Sequence, residues 1–514
     1  MSYGKVYLVG AGPGDPGLLT IKGLECIRKA GVIVYDRLVH PAILEHACQG
    51  AEMIYVGKAS SAHTMKQEDI NQLLVDKAKE GKVVCRLKGG DPYVFGRGGE
   101  EAETLVEAGI EFEEVPGITS AIAAPAYAGI PVTHRDFCSA LGIITGHERA
   151  QEPPSPIIGR GAGGEGSGSR IHWDKIATGL DTLVFLMGVE NLPNIVANLV
   201  ENGRDPSTPV ALVRWGTRTE QETLVGTLAD IVEKVRSTGF KSPAVTVVGE
   251  VVNLREKLRW FDNRPLFGKK VLVTRSRDQA SELSHLLREQ GAEPVEFPVI
   301  KITPPECSRE LDAALERIDK YDWVLFTSAN GALSVLSRLY ELGRDVRSLK
   351  GPKVGAIGPA TAETLSCMGI MVDFTPSRFV AEAVVEEFPE DPSGKRILIP
   401  RAQEAREVIP EKLTERGADV DVVTVYRTEI EESCAAPVKE MLENGEIDII
   451  TFTSSSTVKN FVKLIGASVP AGVQIACIGP ITAQTAEEHG LKPDIVAEEY
   501  TVEGLVRAIS ETAG

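Results

Sequence analysis

A chain of 514 residues, 43% hydrophobic and 25% charged, has material for about three or four domains with ample buried cores. Its formal net charge of −18 excludes a general nucleic-acid binder, while leaving room for an anionic small molecule wherever arginines cluster. No apolar run approaches the roughly 18 residues of a membrane span, and the first residues lack a signal-peptide core. The eight cysteines form no C-x-x-C pair and mostly fall in apolar runs, which predicts buried free thiols in a reducing, cytoplasmic setting.

The first predicted strand, Lys5 to Val9, runs into Gly10-Ala-Gly-Pro-Gly-Asp-Pro-Gly17. The loop imitates a dinucleotide fingerprint, and Asp36 even ends the next strand, Val32 to Tyr35. Its glycines are out of register, however, and Pro13 and Pro16 remove backbone donors that a pyrophosphate would need. Such a loop suits a ligand without a diphosphate. A third strand, Met53 to Val56, precedes Lys58.

An apolar run, Val83 to Cys85, then leads into Arg86-Leu-Lys-Gly-Gly-Asp-Pro-Tyr-Val-Phe-Gly-Arg-Gly-Gly99 and a helical pattern from Glu100. This is the strand–loop–helix setting in which an open α/β sheet places ligands at its carboxyl edge. Gly89 and Gly90 allow close backbone approach. Asp91, before Pro92, is expected to present a carboxylate, and Arg97 a cation on a flexible rim. Val115-Pro-Gly-Ile-Thr-Ser-Ala121 opens an Ala-rich helix with hydroxyls where backbone donors are free. Strands follow at Gly142–Thr145, Thr182–Gly188, Pro209–Arg214 and Pro243–Val248. Between the first two of these, residues 150–170 read as a Gly/Pro-rich surface loop without a phosphate-binding motif. Residues 251–265 read as a linker between independent units.

The second half repeats itself. Lys269-Lys-Val-Leu-Val-Thr-Arg275 matches Lys395-Arg-Ile-Leu-Ile-Pro-Arg401, and Phe326-Thr-Ser328 matches Phe452-Thr-Ser454, both 126 residues apart. Ile357-Gly-Pro-Ala-Thr-Ala362 matches Ile478-Gly-Pro-Ile-Thr-Ala483 at 121. Order and near-constant spacing predict two similar α/β halves, about 266–392 and 393–514, with segment exchange left open. Their hydroxyls are expected to face each other across a cleft which, with Arg275 and Arg401, suits a multivalent anion.

Positions 3 to about 250 resemble the S-adenosylmethionine-dependent uroporphyrinogen-III C-methyltransferases. The carriers are the 10–17 loop, Tyr-Asp-Arg-Leu-Val from Tyr35, the Gly89–Glu101 stretch and Val115–Ala121. Positions 266 to 514 resemble uroporphyrinogen-III synthase, on the repeat and on Tyr426 in Val425-Tyr-Arg-Thr428. The resemblance implies an α/β tetrapyrrole-methylase fold of two subdomains with a cleft between, followed by the two-lobed α/β synthase. It implies a bifunctional enzyme that closes hydroxymethylbilane to uroporphyrinogen III and methylates it to precorrin-2.

Carried over residue by residue, Pro13, Gly89, Gly90, Asp91, Val94, Thr119, Ser120, Met187 and Gly216 match S-adenosylmethionine contacts. Asp36 and Lys58 match proton-transfer positions, Lys58 equally suiting a clamp for substrate carboxylates. Arg37, Arg97 and Arg135 are further clamps. Tyr426, Thr361, Ser454 and Thr482 match or adjoin synthase cleft residues, Tyr426 as donor to the departing hydroxyl. The family implies a homodimer through the methylase half, tetrapyrrole substrates, and no metal, membrane or nucleic-acid partner. The alternative is a methylase regulated by a non-catalytic tetrapyrrole-binding module. The 150–170 loop looks longer than the family's, either an insertion or a flap.

Overall fold

The computed structural model describes residues 3–57, 65–147, 171–275, 277–378, 381–404 and 407–513, without the side chains of 277–281 and 513. The chain divides into two compact units: Met1–Lys269 with Gln290–Glu293, and Lys270–Glu289 with Pro294–Gly514.

The first unit holds two five-stranded sheets. β1 (Val6–Gly10), β2 (Val32–Tyr35), β3 (Glu52–Tyr55), β4 (Val84–Lys88) and β5 (Phe112–Val115) are all parallel, in the order β3-β2-β4-β1-β5. Helices and loops cover both faces, so β4 is buried at every residue rather than alternately. One core gathers Val6, Leu8, Leu74 and Leu105, the other Val9, Ile27, Ile33 and Leu87.

The second sheet contains β6 (Leu141–Thr145), β7 (Thr182–Leu186), β8 (Pro209–Arg214), β9 (Glu222–Thr227) and β10 (Ala244–Val248), ordered β6-β7-β10-β8-β9. Only β6 and β7 pair in parallel; the other pairs are antiparallel. The Ala-rich helix Ser120–Tyr127 packs on β7, β8 and β10. Its small side chains let it lie close to those strands, and Ala121, Ala124 and Ala128 are wholly buried there.

Residues 251–265 are not a free linker. Val251 and Val252 complete the core under that helix. The Trp260 indole donates to the Ala126 carbonyl at 3.1 Å, the Arg255 guanidinium bonds the Ala128 carbonyl, and Trp260 and Phe261 pack edge-on against Tyr127.

The second unit also has two sheets. β11 (Lys270–Val273), β12 (Glu293–Glu296), β18 (Ile449–Phe452), β19 (Gln474–Cys477) and β20 (Ile495–Val496) form one, ordered β12-β11-β18-β19-β20. β13 (Ile300–Thr303), β14 (Trp323–Phe326), β15 (Lys353–Ala356), β16 (Arg396–Ala402) and β17 (Asp419–Ile430) form the other, ordered β13-β17-β16-β14-β15.

The repeat boundary at residue 392 is not a lobe boundary. By the sequence repeat, β11, β14 and β15 correspond to β16, β18 and β19. Yet β11 pairs with β18, and β14 with β16. The halves have exchanged their first strands, so neither 266–392 nor 393–514 makes a lobe alone. The thiols also differ from expectation: Cys26, Cys85, Cys138 and Cys477 are buried, whereas Cys48, Cys307 and Cys367 are exposed and Cys434 is half-buried.

Each fully buried side chain in the 251–266 segment is worth about 1.5–3 kcal/mol, and Val251, Val252, Phe261 and Leu266 are all buried. A first unit ended after Glu250 is therefore expected to melt several degrees below one ended after Lys269 in a thermal scan. Equal melting would show that the segment contributes nothing.

Candidate functional site

The loops leaving β4, β1 and β5, three neighbours in one sheet, meet backbone to backbone. Gly12 and Gly90 exchange hydrogen bonds: Gly90 N–H donates to the Gly12 carbonyl at 2.7 Å and Gly12 N–H to the Gly90 carbonyl at 3.2 Å. A Cβ at Gly117 would lie 2.2 Å from the Gly90 oxygen, and one at Gly10 would lie 2.4 Å from the Gly117 Cα. No side chain fits. Asp91 fastens the same junction: its Oδ1 accepts from Tyr93 N–H at 2.8 Å and Val94 N–H at 3.1 Å, and its Oδ2 from Gly117 N–H at 3.1 Å. The carboxylate expected to face a ligand is thus turned onto the protein's own backbone.

From this junction the site extends to the second sheet. Gly90 lies beside the start of the helix Ser120–Tyr127, where a Cβ would sit 3.7 Å from Thr119 Cα and Ser120 N. Thr119 caps that helix, accepting from Ala121 N–H at 3.3 Å. Gly216, after β8, presses on the same helix; a Cβ there would fall 2.3 Å from Ala124 Cβ. Val94 packs against the core containing Ala121 and Leu186. Pro13 stands between Gly12 and Gly14 in the loop that reaches across: Asp15 N–H donates to Thr217 Oγ1 at 2.9 Å, and Tyr127 O–H to Asp15 Oδ2 at 2.7 Å. Burial, with that carboxylate second, raises the Tyr127 pKa well above the usual phenol range. Arg218, stacked on Trp215, donates to the Leu38 carbonyl at 2.9 Å.

Backbone strain concentrates in these loops. Among the described residues, the non-glycines with positive φ are Phe95, Arg97, Met187, Trp215 and Thr217, at 46–74°. All five follow β4, β7 or β8. Each such residue costs about 1–2 kcal/mol and persists where surroundings over-determine it. Around them Leu38, Tyr93, Phe95, Ile118 and Met187 expose large apolar side chains. Met187 follows β7 beside the close approach of Gly146 and Gly188, rather than at the three-glycine junction.

Asp36 directly follows β2 in the same unit, with Oδ1 accepting from Leu38 N–H at 3.0 Å and Oδ2 at 3.5 Å from Arg86 Nη2. Arg37 and Arg135 are exposed. Arg97 is not a free rim cation: it holds Glu100 through two hydrogen bonds of 2.6 and 2.9 Å. Lys58 and the 150–170 loop lie outside the described residues. Sequence reasoning missed Thr217, Arg218 and the buried Arg86, Lys88 and Glu101, although two cations alternating along a central strand were a visible signal.

In the second unit, each lobe carries its own part of the predicted set. On one sheet Arg401 ends β16, Ser328 caps the helix after β14, Thr361 lies in the first turn of the helix after β15, and Tyr426 lies within β17. Tyr426 is buried, with its hydroxyl 3.1 Å from Ser328 Oγ. Arg401, also buried, pairs with Glu407. On the other sheet Arg275 follows β11, Ser454 caps the helix after β18, and Thr482 starts the helix after β19. Burial pulls the Arg275 pKa below the usual guanidinium range. Thr361 and Thr482 were expected to line a cleft but are buried on their helices.

The sequence comparisons follow the same division. Residues 5–232 match the family described as Tetrapyrrole (Corrin/Porphyrin) Methylases, and residues 281–507 match Uroporphyrinogen-III synthase HemD. The Porphyrin biosynthesis protein HemD of Ruminiclostridium josui is 41% identical over 518 residues, covering 100% of this chain and 99% of that protein. The chain belongs to the fused tetrapyrrole methylase–uroporphyrinogen-III synthase family. A Uroporphyrinogen-III C-methyltransferase of Priestia megaterium is 53% identical over 49% of this chain and 99% of its own length. An S-adenosyl-L-methionine-dependent uroporphyrinogen III methyltransferase of Methanosarcina barkeri is 54% identical over 50% of this chain and 95% of its own length. Two enzyme families are therefore joined in one polypeptide.

The three-glycine contact has a direct test. Gly117→Ala forces backbone apart and is expected to destabilise the first unit by about 1–3 kcal/mol in denaturant unfolding. Gly99→Ala, with nothing within 4 Å of its Cβ, is expected to be neutral or slightly stabilising. Equal behaviour of the two variants would refute the contact.

Proposed function

We propose that the second unit closes hydroxymethylbilane to uroporphyrinogen III with inversion of ring D. The first unit then methylates that product at C2 and C7 with S-adenosylmethionine, giving precorrin-2. The observation that carries the methylase reading is the junction of Gly10, Gly90 and Gly117 with its apolar rim. It presents close-packed backbone and hydroxyl-bearing turns, while Pro13 and Pro16 withhold the donors a diphosphate requires. Those features fit a compact sulfonium cofactor, which supplies an electrophilic methyl group when bound.

In this reading Gly89, Gly90, Thr119, Ser120 and Gly216 offer backbone and hydroxyl groups to the cofactor, and Pro13, Val94 and Met187 offer apolar walls. Asp91 acts one step removed, by fixing the loops that make those contacts. Methylating two ring carbons ends in proton loss, and Asp36 is the carboxylate assigned to receive a proton, with Lys58 as its partner or as a clamp. Arg37, Arg97 and Arg135 serve substrate carboxylates, Arg97 after exchanging Glu100 for them.

For ring closure, Tyr426 donates its O–H to the departing hydroxyl while Ser328 holds the phenol. Arg275, Arg401, Thr361, Ser454 and Thr482 set the surrounding polar field, the two threonines through their helix starts rather than by open hydroxyls. Positioning the flexible bilane carries much of the rate. The protein works in the cytoplasm as a homodimer joined through the first unit. No described helix is long and apolar enough to cross a membrane.

Supplying hydroxymethylbilane without cofactor is expected to give the type III ring, and adding S-adenosylmethionine then gives precorrin-2. Formation of only the spontaneous type I isomer would leave the second unit a binding module. Asp91→Ala is expected to weaken S-adenosylmethionine binding in calorimetric titration while sparing ring closure; loss of both activities would contradict independent units. Tyr426→Phe is expected to slow closure by no more than about 100-fold.

A further inference from the structure

Beneath the loop after β2 lies a set of charges that the proposed chemistry leaves unused. Arg86 and Lys88 alternate along β4, with side chains no more than 5% exposed. Glu101, wholly buried on the helix Gly98–Glu107, meets both. Its Oε1 accepts from Lys88 Nζ at 2.8 Å, from Gln67 Nε2 at 3.0 Å and from Arg86 Nε at 3.2 Å. Its Oε2 is buried without a partner among the described residues. Arg86 Nη1 donates to the Leu87 carbonyl at 2.8 Å, and Nη2 reaches Asp36 Oδ2 at 3.5 Å.

Two buried cations therefore face one buried anion. Leaving a charge uncompensated at this depth is strongly destabilising. Among the described groups, the surplus is answered by Asp36, whose side chain is 24% exposed. Among the described residues, Tyr55 on β3 beside β2, Glu68 next to Gln67, Arg97 and Glu100 at the head of the Gly98–Glu107 helix, and Arg218 on the Leu38 carbonyl are the further charged or titratable groups around this set. β2 gives Asp36, β4 gives Arg86 and Lys88, and the Gly98–Glu107 helix gives Glu101. The Gln67–Lys79 helix gives the neutral Gln67, and β1 carries no charged residue between Val6 and Gly10. Burial and then Arg86 lower the Lys88 pKa, while Glu101 and Asp36 oppose them.

We propose that Lys88 is a positioning residue for methylation: by pairing with Glu101 it leaves Arg86 to hold the carboxylate of Asp36 that receives the ring proton. This rests on the reading of Asp36 as proton acceptor. The experiment is the single-turnover rate of uroporphyrinogen III methylation against pH, using the full chain saturated with S-adenosylmethionine. Lys88→Met is expected to move the acidic limb upward by about 0.5–1 pH unit, because one positive charge no longer favours the carboxylate. Lys88→Arg is expected to return the limb to its original place.

A uniform loss of rate with an unmoved limb overturns the proposal, since damaged packing alone would give that result. Should Lys88→Met fail to bind S-adenosylmethionine in calorimetry, Lys88→Gln removes the same charge and is judged by the same criterion. Asp36→Asn separates the two ideas. A slow Asp36→Asn chain beside an unmoved limb in Lys88→Met refutes the role of Lys88 alone. An Asp36→Asn chain with the original rate and profile refutes the reading beneath it.

Discussion

The first unit depends on one steric fact: three loops at the carboxyl edge of a parallel sheet touch through Gly10, Gly90 and Gly117 with no room for a side chain. Backbone groups brought that close normally repel unless their polar atoms are matched. Here the matching comes from the paired Gly12–Gly90 hydrogen bonds and from the Asp91 carboxylate, which collects three N–H groups from two loops. The junction then fixes where the Ser120–Tyr127 helix begins, and through Gly216 and Asp15 where the second sheet stands. Strain in Phe95, in the loop that Asp91 fastens, is held by the same framework, whereas Met187 is held at the separate approach of Gly146 and Gly188.

Much of this was legible in the chain. The strand–loop–helix reading around Gly89 and Gly90 located the close backbone junction, because buried parallel strands are uninterrupted apolar runs and glycine clusters mark close approach. β5 and β9 escaped notice because edge strands need no such run. β5 reads Phe-Glu-Glu-Val, and Glu113 satisfies itself with Lys5 and Lys22 at the surface. The direction of Asp91 was also hidden. An Asp before Pro presents a carboxylate in any turn, and only the fold decides whether backbone donors or solvent take it.

The second unit illustrates a different limit. The repeat was plain, yet a strand exchanged between halves leaves the same sequence spacing as one that stays home. What distinguishes them is pairing, β11 with β18 and β16 with β14. The exchange ties both lobes to both halves of the chain, and β17 extends that tie by pairing in parallel with β16 and antiparallel with β13. Likewise Phe261, which a composition reading assigns to a linker, is buried against Tyr127, and Trp260 packs edge-on against the same ring while staying partly exposed, because aromatic rings gain from packing.

Both tetrapyrrole steps thus reside on α/β sheets whose candidate chemistry gathers at strand ends. Hydrogen–deuterium exchange of the full chain, with and without S-adenosylhomocysteine, tests that account most directly. Protection is predicted at the amides of 89–94, 116–121 and 215–217, with the second unit unchanged. Unaltered exchange in those three segments, or protection confined to the second unit, would contradict it.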